Sequence, residues 1–447
     1  MLTSEIKQFT YPDGSIERVQ AVRMGRWEDL GFFLPEPDGE AMFASVTRLY
    51  SKYAVPRAPF LFPQMVLFRL PAGEEVPFSR ESMRCGALSD SLAAAAAGLR
   101  ENLTVIGGKP VFRTRAAEDF FRRLEALGCI RIIGGLRPGT AILPVGEKAG
   151  LLSRSLPDAA LKANLSFFIM DCFDVASVYD SIGTPVGLRV KNGIVESPPL
   201  FAREALLVRK DGAVSIEKPA LEALSVTVQG ETFVHGKNTR FYARPRFRRA
   251  PCHGGTDLVI IGNRVAAVHP GGGTAVPGSG FVLAADAAQA IPGDTVTYGG
   301  MEEVLFGVQV GNSCVVNGRA TEKFTSPFYK FTNPFSVSYP PSLYPMDYEK
   351  ARAPRMMLGG DADGKPLLLF AEGPGKLGYE KGRDSRGASL SESAAIARSL
   401  GMVNGVHLDG GGSAQILLDN RRSLRISDRY EDNSEAERPV PVGLCMR

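Results

Sequence analysis

The chain has no apolar run approaching the roughly 20 residues that a membrane-crossing helix requires. Its longest candidate, LAAAAAGL from Leu92, is short and alanine-dominated and reads as a soluble helix, so no membrane partner is expected. No C-x-x-C pair occurs among Cys85, Cys129, Cys172, Cys252, Cys314 and Cys445, which disfavours both a zinc ribbon and a dense disulfide framework. The expectation is reduced thiols in a cytoplasmic protein, with no metal and no cofactor. MLTSEIKQFTYPDGS at the start has no basic segment followed by an apolar one, which points to the same compartment. Excess charge is lacking too: 52 Lys and Arg against 48 Asp and Glu leave a formal +4, too mild to imply nucleic acid by itself. A small anionic substrate suits that balance equally well.

What the chain does have is glycine and proline, 49 and 31 of them, which argue for many turns and a strand-rich chain rather than a helical bundle. A length of 447 residues exceeds one ordinary core and predicts two domains. The turn-rich stretch GGLRPGTAILPVG around Pro138 is the expected boundary, giving an N-terminal α/β unit over 1–138 and a second domain over 139–447. In the first, Thr114 would cap a helix in RAAEDFFRRLEALG, where Phe120, Phe121, Leu124 and Leu127 recur at helical spacing before Gly128.

In the second, Asn-Gly and Asp-Gly sit between alternating apolar runs in VGLRVKNGIVESPP and ALLVRKDGAVSIE, a strong hairpin signal. TDLVIIGNRVAAVHPGGG, FVLAAD and GNSCVVNGRAT read the same way, predicting a large antiparallel or mixed sheet. The aromatic and proline-rich stretch from Phe324 to Tyr348 predicts a long ordered loop, with Tyr329, Phe331 and Tyr339 available to stack on a sugar. Ser389 and Glu392 form a capping box for the helix in SLSESAAIARSLG, which Gly401 stops. The fold class expected is therefore α+β: a mixed or antiparallel sheet domain with packed helices, plus the smaller N-terminal α/β domain.

The helix leads into GVHLDGGGSAQILL. Three glycines can bring several N–H groups to one point, which suits phosphate or carboxylate oxygens. The G-K-[ST] ending of a Walker A loop is missing, and a strand rather than a helix follows. The alternative is a tight turn capped by the side chain of Asp409. Arg355 in APRMMLGG and Arg438 in ERPVPVG carry the planar fork that grips phosphate oxygens. Asp171, Asp174, Glu372, Asp409 and Glu437 form the pool of carboxylates able to act as acid, base or nucleophile. Two other stretches invite bolder readings. NTRFYARPRFRRAP, 238–251, interleaves aromatic and basic residues as a polyanion strip would, although exposed, solvated arginines account for it equally. PCHGG offers Cys252 and His253 as neighbours, without the second pair that zinc needs.

The order PRMMLGG, DGKPLLLFAEG, GASLSESAAIARSLG, VHLDGGGSAQILL, ERPVPVG resembles the C-terminal half of the phosphodiester glycosidase family. That family typically reads P-R-T-A-I-G, a helix with a T-x-E-like start, N-L-D-G-G-G-S and E-R-P-V. FFIMDCFDVASVYDSIGTPVGLRVKNGIV is similar to its N-G-x-F-F and G-x-P-x-G segments, and AVPGSGFVLAAD to its I-P-x-x-G-F-V-L segment. The likeness runs in order from about Pro144 to the C-terminus. It implies hydrolysis of the bond between a sugar's anomeric carbon and a phosphodiester oxygen.

The positions that match are Asp171, Phe173, Gly183, Pro185, Gly187, Arg355, Gly359, Asp409 to Ser413, Glu437 and Arg438. Departures are Asp171 for asparagine, Cys172 for glycine, Asp174 for the second phenylalanine, Met356 for threonine, and His407 for the asparagine of N-L-D. Asp409, Glu437 and Asp171 are the catalytic candidates. Gly410, Gly411, Gly412, Ser413, Arg355, Arg438, Phe173 and His407 are the candidates for holding the phosphate or sugar, with strand alternation favouring a core position for His407. The substrate expected is an N-acetylglucosamine-1-phosphodiester-like or nucleotide-linked sugar. The alternative is a sugar-phosphate or polyanion binding protein that keeps the phosphate cradle without turnover. A homo-oligomer is compatible with either.

Overall fold

A computed structural model describes residues 2–53, 148–170, 182–199, 203–236, 239–244, 246–247, 249–278, 280–322, 351–375 and 379–446, with residue 324 and short pieces between 64 and 145. The hairpins form where the turn chemistry places them. Asn192–Gly193 and Asn317–Gly318 take positive φ, 52° and 81°, then 49° and 73°, the left-handed pair that matches the twist of flanking antiparallel strands. They join Arg189–Lys191 to Ile194–Ser197 and Ser313–Val316 to Arg319–Ala320. Ala205–Arg209 pairs likewise with Val214–Glu217, and Cys252–Ile261 with Arg264–Gly272.

The expected class needs correction. Two α-helices, Gly39–Tyr53 and Leu390–Ser399, stand against twenty-eight strands among the described residues. The strands form several mostly antiparallel sheets, so this is a mostly β protein rather than an α+β fold with packed helices. Its sheets cover one another, and that stacking buries the strand faces for which helices had been invoked. The helix expected after Thr114 lies largely outside the described residues; positions 122 and 126, which are described, are helical. The boundary near Pro138 and the aromatic loop beyond Phe324 also lie outside them.

Two sheets matter for the site. The seven-stranded one runs, in spatial order, Leu2–Thr10, Ile16–Met24, Pro366–Ala371, Arg355–Gly360, Asn404–His407, Ser313–Val316 and Arg319–Ala320. Both of its faces are covered, so its central strands read as continuous apolar runs such as PLLLFA. Met357, Leu367 and Leu369 face the helix Leu390–Ser399, packing on its Leu390, Ala394 and Ala397. Met356, Leu358, Leu368 and Phe370 face a core shared with Ala163, Ile416 and Leu444. Those last three belong to a four-stranded sheet ordered Ile416–Leu418, Leu161–Asn164, Gly443–Met446, Leu30–Phe33. Residues 2–33 thus complete two sheets made otherwise of strands from 161 onward. The helix begins with the capping box read from sequence: Ser389 accepts from Glu392 N–H at 3.1 Å, and the Glu392 carboxylate accepts from Ser389 N–H at 2.9 Å.

Glu17 is the buried acid among the described residues whose two oxygens both lack a hydrogen-bond partner. Its side chain is fully buried on the strand Ile16–Met24, and its pKa is pushed up to about 9, chiefly by burial, with the nearby Glu372 and Glu392 adding to what Gly387 N–H and Arg386 offset. Folding therefore favours the protonated acid, and the cost of Glu17 grows as pH climbs from its ordinary 4.5 toward 9. Glu17→Gln, which has no charge to bury, is expected to stabilise the protein by on the order of 3 kcal/mol at pH 7 and to change little near pH 4. Urea unfolding at the two pH values checks this; an equal shift at both would sink the argument.

Candidate active site

The glycine loop crosses between these two sheets. It leaves the strand Asn404–His407 in the seven-stranded sheet and enters Ile416–Leu418 in the four-stranded one, with a short 3₁₀ turn at Gly411–Ser413. Two of the glycines are needed for different reasons. Gly411 has φ +59° in open space, a conformation that side chains disfavour. At Gly412 a Cβ would run into the Arg438 guanidinium and Asp428 Oδ1, so only hydrogen lets that ion pair pack against the loop. The Gly411 N–H is not free for an anion, because it donates to Pro354 O at 2.9 Å.

Asp409 sits partly exposed at the loop's entrance. The Ser413 hydroxyl and the Gly410 N–H lie beside its carboxylate and favour the charged form. Burial nonetheless pushes its pKa up to about 6, against those two groups and the positive charge of Arg438. Ser413 Oγ in turn accepts from Arg438 Nη1 at 3.4 Å. Arg438 is anchored from behind by Asp428: Nε at 3.0 Å and Nη2 at 2.8 Å both reach Asp428 Oδ2, in a pair that is almost fully buried. Its Nη1 also lies 3.7 Å from Met170 Sδ. The result is a hydrogen-bonded line from Asp428 through Arg438 to Ser413, whose hydroxyl lies beside the Asp409 carboxylate.

The other candidates divide. Arg355 flanks the loop through the neighbouring Pro354, but its guanidinium donates to Ala388 O at 3.0 Å and Ala351 O at 2.7 Å. Glu437 points away from Arg438. It accepts from Ser153 N–H at 3.0 Å and pairs with Arg422, which reaches Gln415 Oε1 at 3.0 Å. The adjacent Glu and Arg of ERP are thus not an ion pair; successive side chains leave on opposite sides of the segment. His407 lies in the core, with Nε2 2.8 Å from Ser393 Oγ, Nδ1 facing Asn312 O, and the Phe324 ring against it. Burial, and then the charge of Arg355, take its pKa down to about 3, so it stays neutral. Glu372, fully engaged by Arg18, Ser385 and the Arg425 N–H, is a structural tie. Asp171, Phe173, Cys172 and Asp174 lie outside the described residues.

Two residues were missed from sequence. Asp428, in ISDRY, carries no local signal. Asn164 does: Asn164, Phe167 and Phe168 in NLSFF reproduce the N-G-x-F-F spacing that was matched seven residues downstream at Asp171. In the two bolder stretches, the described arginines of the 238–251 strip are mostly exposed, and the Cys252–His253 pair is built into a strand. His253 Nδ1 accepts from Gly255 N–H and Nε2 meets Asp257 Oδ1 at 2.8 Å, closing a strand irregularity. In the basic strip Arg244 is buried and Arg249 donates to Gly273 O.

The chain has relatives among known proteins. The chain is 28% identical over 148 residues to the N-acetylglucosamine-1-phosphodiester alpha-N-acetylglucosaminidase of Mus musculus and 27% identical to that of Homo sapiens. Each match takes in 32% of this chain and 24% of the relative, so the chain spans about a quarter of the length of these relatives. Among solved structures, it is similar to a hypothetical protein from Synechocystis (TM-score 0.43, 14% identity, 100% of this chain and 62% of that one). It is also similar to the zebrafish catalytic domain of the same enzyme, auto-inhibited by its pro-peptide (TM-score 0.40, 10% identity, 100% and 83%). The sequence profile of phosphodiester glycosidases matches residues 223–447, just over half of the chain and the whole of the glycine loop, Asp428 and Arg438, and the protein belongs to that family.

Proposed function

We propose that the protein hydrolyses the bond between a sugar's anomeric carbon and a phosphodiester oxygen, with Asp409 orienting and deprotonating the attacking water. The observation that carries this reading is the placement of Asp409: partly exposed at the mouth of the glycine loop, beside the Ser413 hydroxyl that Arg438 contacts, with burial pushing its pKa up to about 6. A base titrating there is ionised at neutral pH and still basic enough to take a proton, the compromise that general-base catalysis requires. Water adds to the anomeric carbon, the bond from that carbon to oxygen breaks, the proton passes to Asp409, and the phosphate departs as a monoester. Such a leaving group is weakly basic and needs little protonation. Arg438, with Arg355 on the other side of the loop, supplies positive charge through space to the departing phosphate, since the Gly411 N–H is committed to Pro354 O and cannot bind it. Glu437 then acts on the loop only through Arg422 and Gln415.

The substrate class proposed is an N-acetylglucosamine-1-phosphodiester, in line with the name of the curated relatives, or a nucleotide-linked sugar. The test is to incubate the protein with both kinds of substrate in isotopically labelled water. Free sugar carrying the label, together with an unlabelled phosphomonoester, is the expected result. Label in the phosphate would mean cleavage of the phosphorus–oxygen bond and a different enzyme.

A further inference from the structure

Asp409 is held by its backbone N–H and by its carbonyl, and both ties lead to one short segment. Its N–H donates to Leu165 O at 3.4 Å, and its carbonyl accepts from Asn164 Nδ2 at 2.6 Å. The other half of the Asn164 carboxamide works on the far end of the loop, with Oδ1 accepting from Gln415 N–H at 3.0 Å. The orientation of the amide is unambiguous, since a carbonyl needs the donor and an N–H needs the acceptor. Asn164 is fully buried, and it ends the strand Leu161–Asn164, opposite Gly443 in the register with Gly443–Met446. It therefore comes from the rigid four-stranded sheet, while Asp409 hangs from the end of a strand in the seven-stranded one.

We propose that Asn164 is the positioning residue of this active site. Its carboxamide clamps both ends of the glycine loop and so sets where the Asp409 carboxylate stands and how much water reaches it. No other side-chain type of this size offers a donor and an acceptor side by side without a charge. Aspartate would set a carboxylate oxygen against the Asp409 carbonyl. Alanine would leave the loop ends held only by two long backbone bonds, Asp409 N–H to Leu165 O and residue 164 N–H to Gln415 O, each at 3.4 Å, with the Asp409 carbonyl and Gln415 N–H unpaired. A loop released at Asp409 lets the carboxylate turn toward solvent, weakening the desolvation that raises its pKa.

The inference rests on the function proposed above, and its test separates the two. The carboxyl carbon of Asp409 is followed by NMR through a pH titration in the wild type, Asn164→Ala and Asn164→Asp, which requires no turnover. Asn164→Ala is expected to lower the Asp409 midpoint by about one pH unit, as solvation returns. Asn164→Asp, nearly isosteric and still able to accept from Gln415 N–H, is expected to raise it, because a second carboxyl then lies behind the first. Should Asn164→Ala fail to fold, the aspartate variant decides by itself. Where turnover is measurable, kcat/KM falls about tenfold or more in both, and the acid limb of its pH profile follows the midpoint. A midpoint that stays at the wild-type value in a folded variant, or moves opposite to the direction given, overturns the role of Asn164. Absence of turnover by the wild type would instead reject the proposed reaction and leave the titration result standing.

Discussion

Asp409→Asn is expected to lower kcat/KM toward a sugar phosphodiester by on the order of 10³-fold, within the range that general bases contribute, while making the protein more stable. The two effects come from one cause. Burial raises the Asp409 pKa from an ordinary 3.8 to about 6, so folding disfavours the carboxylate. The resulting cost appears as pH rises above 3.8 and is complete above about 6; below 3.8 it is absent. Asparagine never carries the charge, and it keeps an oxygen beside Ser413 and Gly410. At pH 7.5 the variant should unfold at a higher denaturant concentration, by about 2 kcal/mol once partial exposure is discounted. In the wild type, kcat/KM should rise with pH through a midpoint near 6 and then level off, since the working form is the ionised one. Loss of activity together with loss of stability would point to a broken loop rather than a missing base. Retained activity would remove Asp409 from the chemistry.

Local signals carried much of this protein's form. Asn-Gly at 192 and 317 specified hairpins because the turn needs two left-handed residues and few others supply them cheaply. Ser389 and Glu392 specified a helix start because both partners lie within one turn. The overall class was misread for the opposite reason: whether a strand's second face is covered by a helix or by another sheet depends on partners far along the chain. PLLLFA reads the same either way. The site divides on the same line. Asp409, Ser413 and Arg438 stand out through the glycine loop and the ERP segment, and the structure brings them together. Glu437 and Arg438 are adjacent in sequence, but neighbours in an extended segment point apart, and the partner of Glu437 is Arg422. Asp428 could not have been found, since it is ten residues before Arg438 and nothing local marks it. Asn164 could have been, had NLSFF been weighed against MDCFD.

Arg438→Met is expected to be the most destabilising change at the site, at roughly 3–5 kcal/mol, because it leaves a buried carboxylate without its counter-charge. Asp428 is 4% exposed and receives both Nε and Nη2 of Arg438 on one oxygen. With the guanidinium gone, the carboxylate must either remain charged in a poorly hydrated place or take up a proton at a cost that grows with pH. Methionine fills similar volume, so the loss reports the charge rather than a cavity. The double variant Asp428→Asn/Arg438→Met removes the stranded charge and should recover much of the stability, which places the three proteins in the order wild type, double, single. Denaturant unfolding at pH 7.5 reads that order directly. A single variant within about 1 kcal/mol of wild type would mean that water reaches Asp428 and that the pair anchors nothing. The double variant should nonetheless stay poorly active. Without Arg438, Ser413 loses its donor at 3.4 Å and Asp409 loses a positive neighbour, so the Asp409 midpoint climbs above 6 and the acid limb of kcat/KM moves to higher pH. Stability that returns without activity would separate the two tasks of Arg438: offsetting Asp428 within the fold, and presenting positive charge to Asp409 and the departing phosphate.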